Sequence, residues 1–146
     1  ADESPVLSDT GLGELRLGVS LKQAKALGLV GERTEESPDE TCEQYTGAKG
    51  SGVHYLYFTD DQLIIIDVTQ AAKLDTGLAI GSTYTQLHNA YGDQIGNDTG
   101  PGRIYVTAPG APVKAEYRVA LDSDTAFPDS KITEITLQTV DSGCYE

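Results

Sequence analysis

Two stretches of this chain follow one grammar. Residues 17–28 read LGVSLKQAKALG and residues 80–92 read IGSTYTQLHNAYG. Each opens on an aliphatic residue and a glycine, reaches Ser20 or Thr83, places Gln23 or Gln86 three positions on, and closes on a glycine. A Ser or Thr with Gln three residues later is a capping box. The hydroxyl accepts from a first-turn amide while the Gln side chain reaches back to the cap's own amide. The spacing predicts two short helices. One carries Leu21, Ala24 and Leu27 on its apolar face and stops at Gly28; the other carries Tyr84, Leu87 and Tyr91 and stops at Gly92. Two such starts in one chain point to an internal duplication.

The residues after each helix repeat a second pattern. VHYLYFT (53–59) and QLIIIDV (62–68) are β-rich runs joined by Asp60-Asp61, which signals a hairpin. RIYVT (103–107), KAEYRVAL (114–121) and KITEITL (131–137) follow the second helix, with Pro109, Gly110 and Pro112 in one connection and DSDTAFPDS in the other. One short helix on one hairpin buries too little surface to stand alone. The predicted fold is therefore α+β: two tandem helix-plus-β-hairpin repeats sharing one antiparallel sheet. The predicted organisation is a flexible N-terminal arm at 1–10, a first repeat at 11–75 and a second repeat of one helix and three strands at 76–146.

Alternation assigns faces. Val53, Tyr55 and Tyr57 fall on one side of their strand, and His54, Leu56 and Phe58 on the other. LIIIDV is apolar on both parities except Asp67, which predicts a central strand. Ala115, Tyr117, Val119 and Leu121 point inward, leaving Lys114, Glu116 and Arg118 outside. Ile104 and Val106 oppose Arg103, Tyr105 and Thr107.

The 146 residues carry a net charge of −13. Nucleic acid and anionic membranes require clustered Lys and Arg, so both are excluded as expected partners. No apolar run is long enough to span a membrane. The polar start ADESPVLSD reads as a mature N-terminus behind a cleaved signal peptide, and the expected location is secreted or extracellular. Cys42 and Cys144 lack metal-ligand spacing, and one disulfide is expected, the alternative being two buried thiols.

Catalytic and metal chemistry find little purchase. His54 and His88 are the histidines, and no G-x-S-x-G elbow is present. They read as packed or surface residues. Asp122, Asp124 and Asp129, and likewise Asp93, Asn97 and Asp98, lack the EF-hand spacing and read as turns, with weak calcium binding at the first set left open. GNDTGPGR lacks the phosphate-loop arrangement and reads as a loop. No cofactor, metal or catalytic residue is expected. Tyr on a solvated sheet face can anchor a protein partner. The expected partner-binding residues are Tyr55, Tyr57, Asp60, Asp61, Arg103 and Tyr105.

The hydrophobic-Gly-x-[Ser/Thr] step into a capped helix, a glycine stop and antiparallel strands, written twice, resembles secreted tandem-repeat proteins of the β-lactamase-inhibitory-protein type. A single copy resembles the outer-membrane assembly lipoproteins at their helix start. GELRLGVSLKQAKALG is similar to a phrase in uncharacterised secreted proteins of actinobacteria. The first resemblance implies an acidic residue of the first-half hairpin turn entering the partner enzyme, and Asp60 and Asp61 occupy that turn by chain order. The expected function is a secreted, non-enzymatic protein-binding module, with inhibition of an extracellular enzyme as one form. The alternative is a structural or assembly module of the cell envelope. A small hydrolase would need a deep pocket enclosing His54 or His88 beside a carboxylate.

Overall fold

A computed structural model describes residues 6–34, 42–50, 52–59, 61–95, 102–111, 114–123 and 127–139. Its elements in chain order are β1 (Val6–Ser8), β2 (Gly11–Leu12), β3 (Leu15–Arg16), α1 (Leu21–Ala26), β4 (Val30–Arg33), β5 (Glu43–Gly47), β6 (Val53–Thr59), β7 (Gln62–Val68), β8 (Lys73–Leu74), α2 (Tyr84–Tyr91), β9 (Arg103–Thr107), β10 (Ala115–Leu121) and β11 (Ile132–Thr139). The protein is a sheet-rich mixture of helix and strand.

Both helices begin as the sequence predicts. Ser20 accepts from the Gln23 amide and the Gln23 side chain accepts from the Ser20 amide; Thr83 and Gln86 do the same. Ala24, Leu87 and Tyr91 are buried, and Leu21, Leu27 and Tyr84 pack partly against the same core.

The Gly of each phrase has a separate task. The Gly18 amide donates to the Leu63 carbonyl at 2.8 Å and the Leu63 amide returns a 2.9 Å bond to Val19. The Gly81 amide donates to Ile132 at 2.8 Å, and the Ile132 amide returns a 2.8 Å bond to Ser82. These exchanges clip each helix start onto the first residues of β7 and β11. They hold Gly18 at φ 94° and Gly81 at φ 101°, where a side chain is strained even though open space surrounds each position.

Seven strands form one antiparallel sheet in the order β4-β5-β6-β7-β11-β10-β9. β7 is its fourth strand, as the two-sided apolar pattern of LIIIDV predicts. Two cross-strand rows of apolar residues face the helices. One runs Tyr45, Leu56, Ile66, Leu137, Tyr117, Val106; the other runs Val53, Val68, Ile135, Val119, Ile104. All belong to one buried core with Ala24 and Leu87.

The structure departs from the predicted single sheet. A second, four-stranded sheet, order β3-β2-β1-β8, adds Leu7, Leu12, Leu15 and Leu74 to the same core. The expected loose arm is in part a strand, because Val6–Ser8 pairs with β8 in parallel and with β2 in antiparallel. Two contacts tie it to the far end of the chain: Asp9 accepts from the Tyr117 hydroxyl at 2.7 Å and from the Gly110 amide at 2.9 Å.

The face assignment within β6 also differs. Val53 pairs with Val68, but Tyr55 pairs with Asp67, so His54 is an extra residue in a β-bulge. The bulge resets the alternation, placing Val53 with Leu56 and Phe58 in the core and Tyr55 and Tyr57 on the opposite face. Arg118, expected outside, is buried on that opposite face. Before it, β4 and β5 are strands that apolar periodicity did not mark.

Candidate binding face

The sheet face opposite the helices is built from two further rows. The first runs Thr46, Tyr55, Asp67, Thr136, Arg118, Tyr105 across six strands. The second runs Gln44, Tyr57, Ile65, Gln138, Glu116, Thr107. Strand alternation interleaves these rows with the core rows, which is why one sheet has an apolar and a polar side. Of the six expected partner-binding residues, four fall on this side: Tyr55, Tyr57, Arg103 and Tyr105. Ala120 separates Arg103 from Glu134 in a shorter neighbouring row.

Tyr57 is a buried strut rather than a free anchor. It packs with Cys42, Ile64 and Ile65 in a satellite apolar cluster, with Tyr55 against it. Its hydroxyl accepts from the Gln44 amide group at 2.6 Å, and Gln44 in turn accepts from Thr34 at 2.6 Å. Tyr55, Arg103 and Tyr105 remain half-buried.

Asp61 also has structural work. It follows the turn at φ 59°, a left-handed conformation that Asp tolerates. Its Oδ1 accepts from the Leu21 amide at 3.1 Å, capping α1 across forty residues of sequence. In α2 the corresponding first-turn amide, that of Tyr84, donates instead to the Ser130 carbonyl at 2.8 Å. Asp60 lies outside the described residues.

Asp67 is the electrostatic centre of the face. Its Oδ1 accepts from the Thr136 hydroxyl at 2.9 Å, and its Oδ2 lies 3.1 Å from His54 Nδ1. Burial pushes its carboxyl above the ordinary range. The Thr136 bond and the His54 contact pull it back down, while the Glu134 charge adds to the upward push. The His54 side chain is 56% exposed and its ring lies 4.0 Å from that of Tyr55, tilted by 39°. A carboxylate at Nδ1 fixes the orientation of an imidazole and the role of its other nitrogen.

The remaining expectations fall elsewhere. His88 is exposed on α2 beside Tyr84. Asp122 accepts from the Lys131 amide at 3.1 Å, as a turn residue does, and Asp129 is exposed. Asp124, Asn97, Asp98 and the Asp93 side chain lie outside the described residues, as does most of GNDTGPGR. Among the described residues no group of His, Cys, Asp or Glu is arranged to hold a metal ion. Cys42 is buried, and Cys144 lies outside the described residues. Phe127, which the sequence reading passed over, is 54% exposed. Its turn is held by a 3.0 Å bond from its amide to Ser130 Oγ and by Thr85 Oγ1 donating to Pro128 at 2.7 Å. The sequence signal was an aromatic residue ahead of Pro in a polar loop.

Fold and face together define a sheet-rich protein with helices and a small sheet on one side of a seven-stranded antiparallel sheet and polar rows on the other. A solved structure similar to this chain is that of the uncharacterized protein YfeY from Escherichia coli. The two share 21% identity and a TM-score of 0.59, covering 91% of this chain and 99% of that one. The likeness is one of fold. No family model and no curated protein matches the chain. No helix among the described residues is long and apolar enough to cross a membrane.

Proposed function

We propose that the chain consists of two tandem helix-plus-hairpin repeats sharing the large sheet, and that it is a secreted, non-enzymatic protein-binding module. Its target is an extracellular protein, and inhibition of an extracellular enzyme is the form of binding we favour. The matched clips at Gly18–Leu63 and Gly81–Ile132, the matched capping boxes and the antiparallel meeting of β7 with β11 support the duplication. The observation that carries the binding role is the placement of Tyr55 and Tyr105 in one row, four strand steps apart and both half-buried, on the side away from the helices. At ordinary strand spacing their two strands lie roughly 19 Å apart. Half-buried Tyr supplies rigid contact area with a hydroxyl, the composition that recurs in binding anchors. The net charge of −13 favours approach by a basic surface. Binding acts by steric occlusion, with Tyr55, Arg103 and Tyr105 as contact residues.

The test is a pull-down from culture supernatant with the intact protein and with Tyr55→Ala/Tyr105→Ala, followed by mass spectrometry. The expected result is an extracellular protein retained by the parent and lost by the double variant. Equal retention by both overturns the assignment of the face. Recovery of cell-wall or envelope-assembly proteins would instead favour an envelope module.

A further inference from the structure

We propose that His54, Asp67 and Thr136 form a proton-sensitive clasp across β6, β7 and β11, whose β6–β7 bond tightens when the imidazole takes up a proton. The seam between β7 and β11 consists of four residue pairs, Ile135 with Val68, Thr136 with Asp67, Leu137 with Ile66 and Gln138 with Ile65. Asp67 is the one ionisable residue among them. A buried carboxylate is costly unless hydrogen-bonded. Thr136 supplies one bond from the far side of the seam, and His54 supplies the other from β6.

The bulge makes this possible. In a regular strand, His54 would alternate onto the helix-facing side with Val53 displaced. The extra residue lets Val53 stay in the core while His54 reaches Asp67. Neutral imidazole gives Asp67 one ordinary N–H bond. Imidazolium gives a charge-assisted bond, about twice as strong. Imidazoles exchange that proton between neutral and mildly acidic pH. Among the described residues, the other charged or titratable groups on this side near Asp67 are Tyr55 on β6, Glu134 on β11, and Arg118 on β10, one step beyond Thr136 in the same row. Glu134 opposes the negative charge of Asp67, so the proton on His54 is the change that favours it. Because the His54 ring lies against Tyr55, the clasp also sets how firmly Tyr55 is held. The inference concerns the molecule by itself and does not depend on any partner.

Hydrogen exchange of the intact protein at pH 7.5 and 5.5, corrected for intrinsic rates, tests it. Protection of the Tyr55 and Leu56 amides should rise roughly fivefold on acidification, the gain expected from doubling a bond of ordinary strength. His54→Asn, a substitution at an exposed position, should leave that protection flat between the two pH values, and Glu134→Gln should keep the rise. A flat response in the parent, or the same rise in His54→Asn, overturns the clasp.

Discussion

The Gly81 amide donates to the Ile132 carbonyl at 2.8 Å, and Gly18 makes the matching bond to Leu63. Each glycine holds a positive φ that an L side chain adopts at a cost of about 1–2 kcal/mol. Gly18→Ala and Gly81→Ala should each destabilise the fold by about that amount, with unchanged denaturant slopes, in urea titrations. No steric clash contributes, since a Cβ at either site meets open space. A near-zero change at both positions would show that the clips do not depend on this conformation.

Asp61 separates a capping role from a recognition role. Asp61→Asn keeps a side-chain oxygen for the Leu21 amide and tolerates φ 59°, so stability should stay within about 0.5 kcal/mol of the parent. Asp61→Val removes the acceptor and places a β-branched residue in a left-handed conformation, for an expected loss of about 2 kcal/mol. Thermal unfolding of both variants checks this. If Asn is as harmful as Val, the carboxylate charge, rather than its oxygen, holds α1.

Much of the fold was legible because capping chemistry and strand alternation are local. Ser20-x-x-Gln23 and Thr83-x-x-Gln86 fixed both helix starts, and the bounds of β6, β7 and β9 match the runs read from the sequence. What stayed hidden depends on distant parts of the chain. β1 is a strand because Val6 and Leu7 find Lys73 and Leu74, a pairing that no local pattern encodes. The bulge at His54 leaves the residue types unchanged and shifts only the register, so parity alone put Val53 on the wrong side. Tyr57 and Arg118 looked solvent-facing because alternation reports which side a residue takes, not whether that side is covered.

Leu87 and Phe127 are opposite tests of burial. Leu87 is fully buried in the main core, and Leu87→Ala should cost roughly 2–5 kcal/mol through lost transfer energy and the cavity left behind. Phe127→Ser should change stability by no more than about 0.5 kcal/mol, since the ring is largely exposed and the turn is held by other atoms. Equilibrium unfolding of the two variants side by side gives the comparison. A loss above about 2 kcal/mol for Phe127→Ser would mean the ring packs against the fold.

We propose that Cys42 pairs with Cys144, closing a loop of roughly 100 residues worth about 4–5 kcal/mol in the chain-entropy account. Alkylation of unreduced, denatured protein should then label neither cysteine, and reduction should expose both. Cys144→Ser should lower the unfolding midpoint by an amount that reduction of the parent reproduces. Two labelled thiols in unreduced protein would rule out the bridge.

Asp67 predicts the sign of a pH effect. Its carboxyl sits above the ordinary range in the folded protein, chiefly because burial disfavours the charge. A group whose folded value is raised contributes stability that is fully present below its unfolded value and lost as pH rises through the folded value. The parent should therefore lose stability relative to Asp67→Asn as pH increases from the ordinary carboxylate range into the raised native one. Asn retains an acceptor for Thr136, so a constant offset between the two proteins is of no consequence; the slope of their difference is the observable. Urea midpoints of both proteins between pH 4 and pH 8 supply it. A parent that instead gains stability relative to Asp67→Asn as pH rises would mean that Asp67 is held charged by stronger partners than Thr136 and His54.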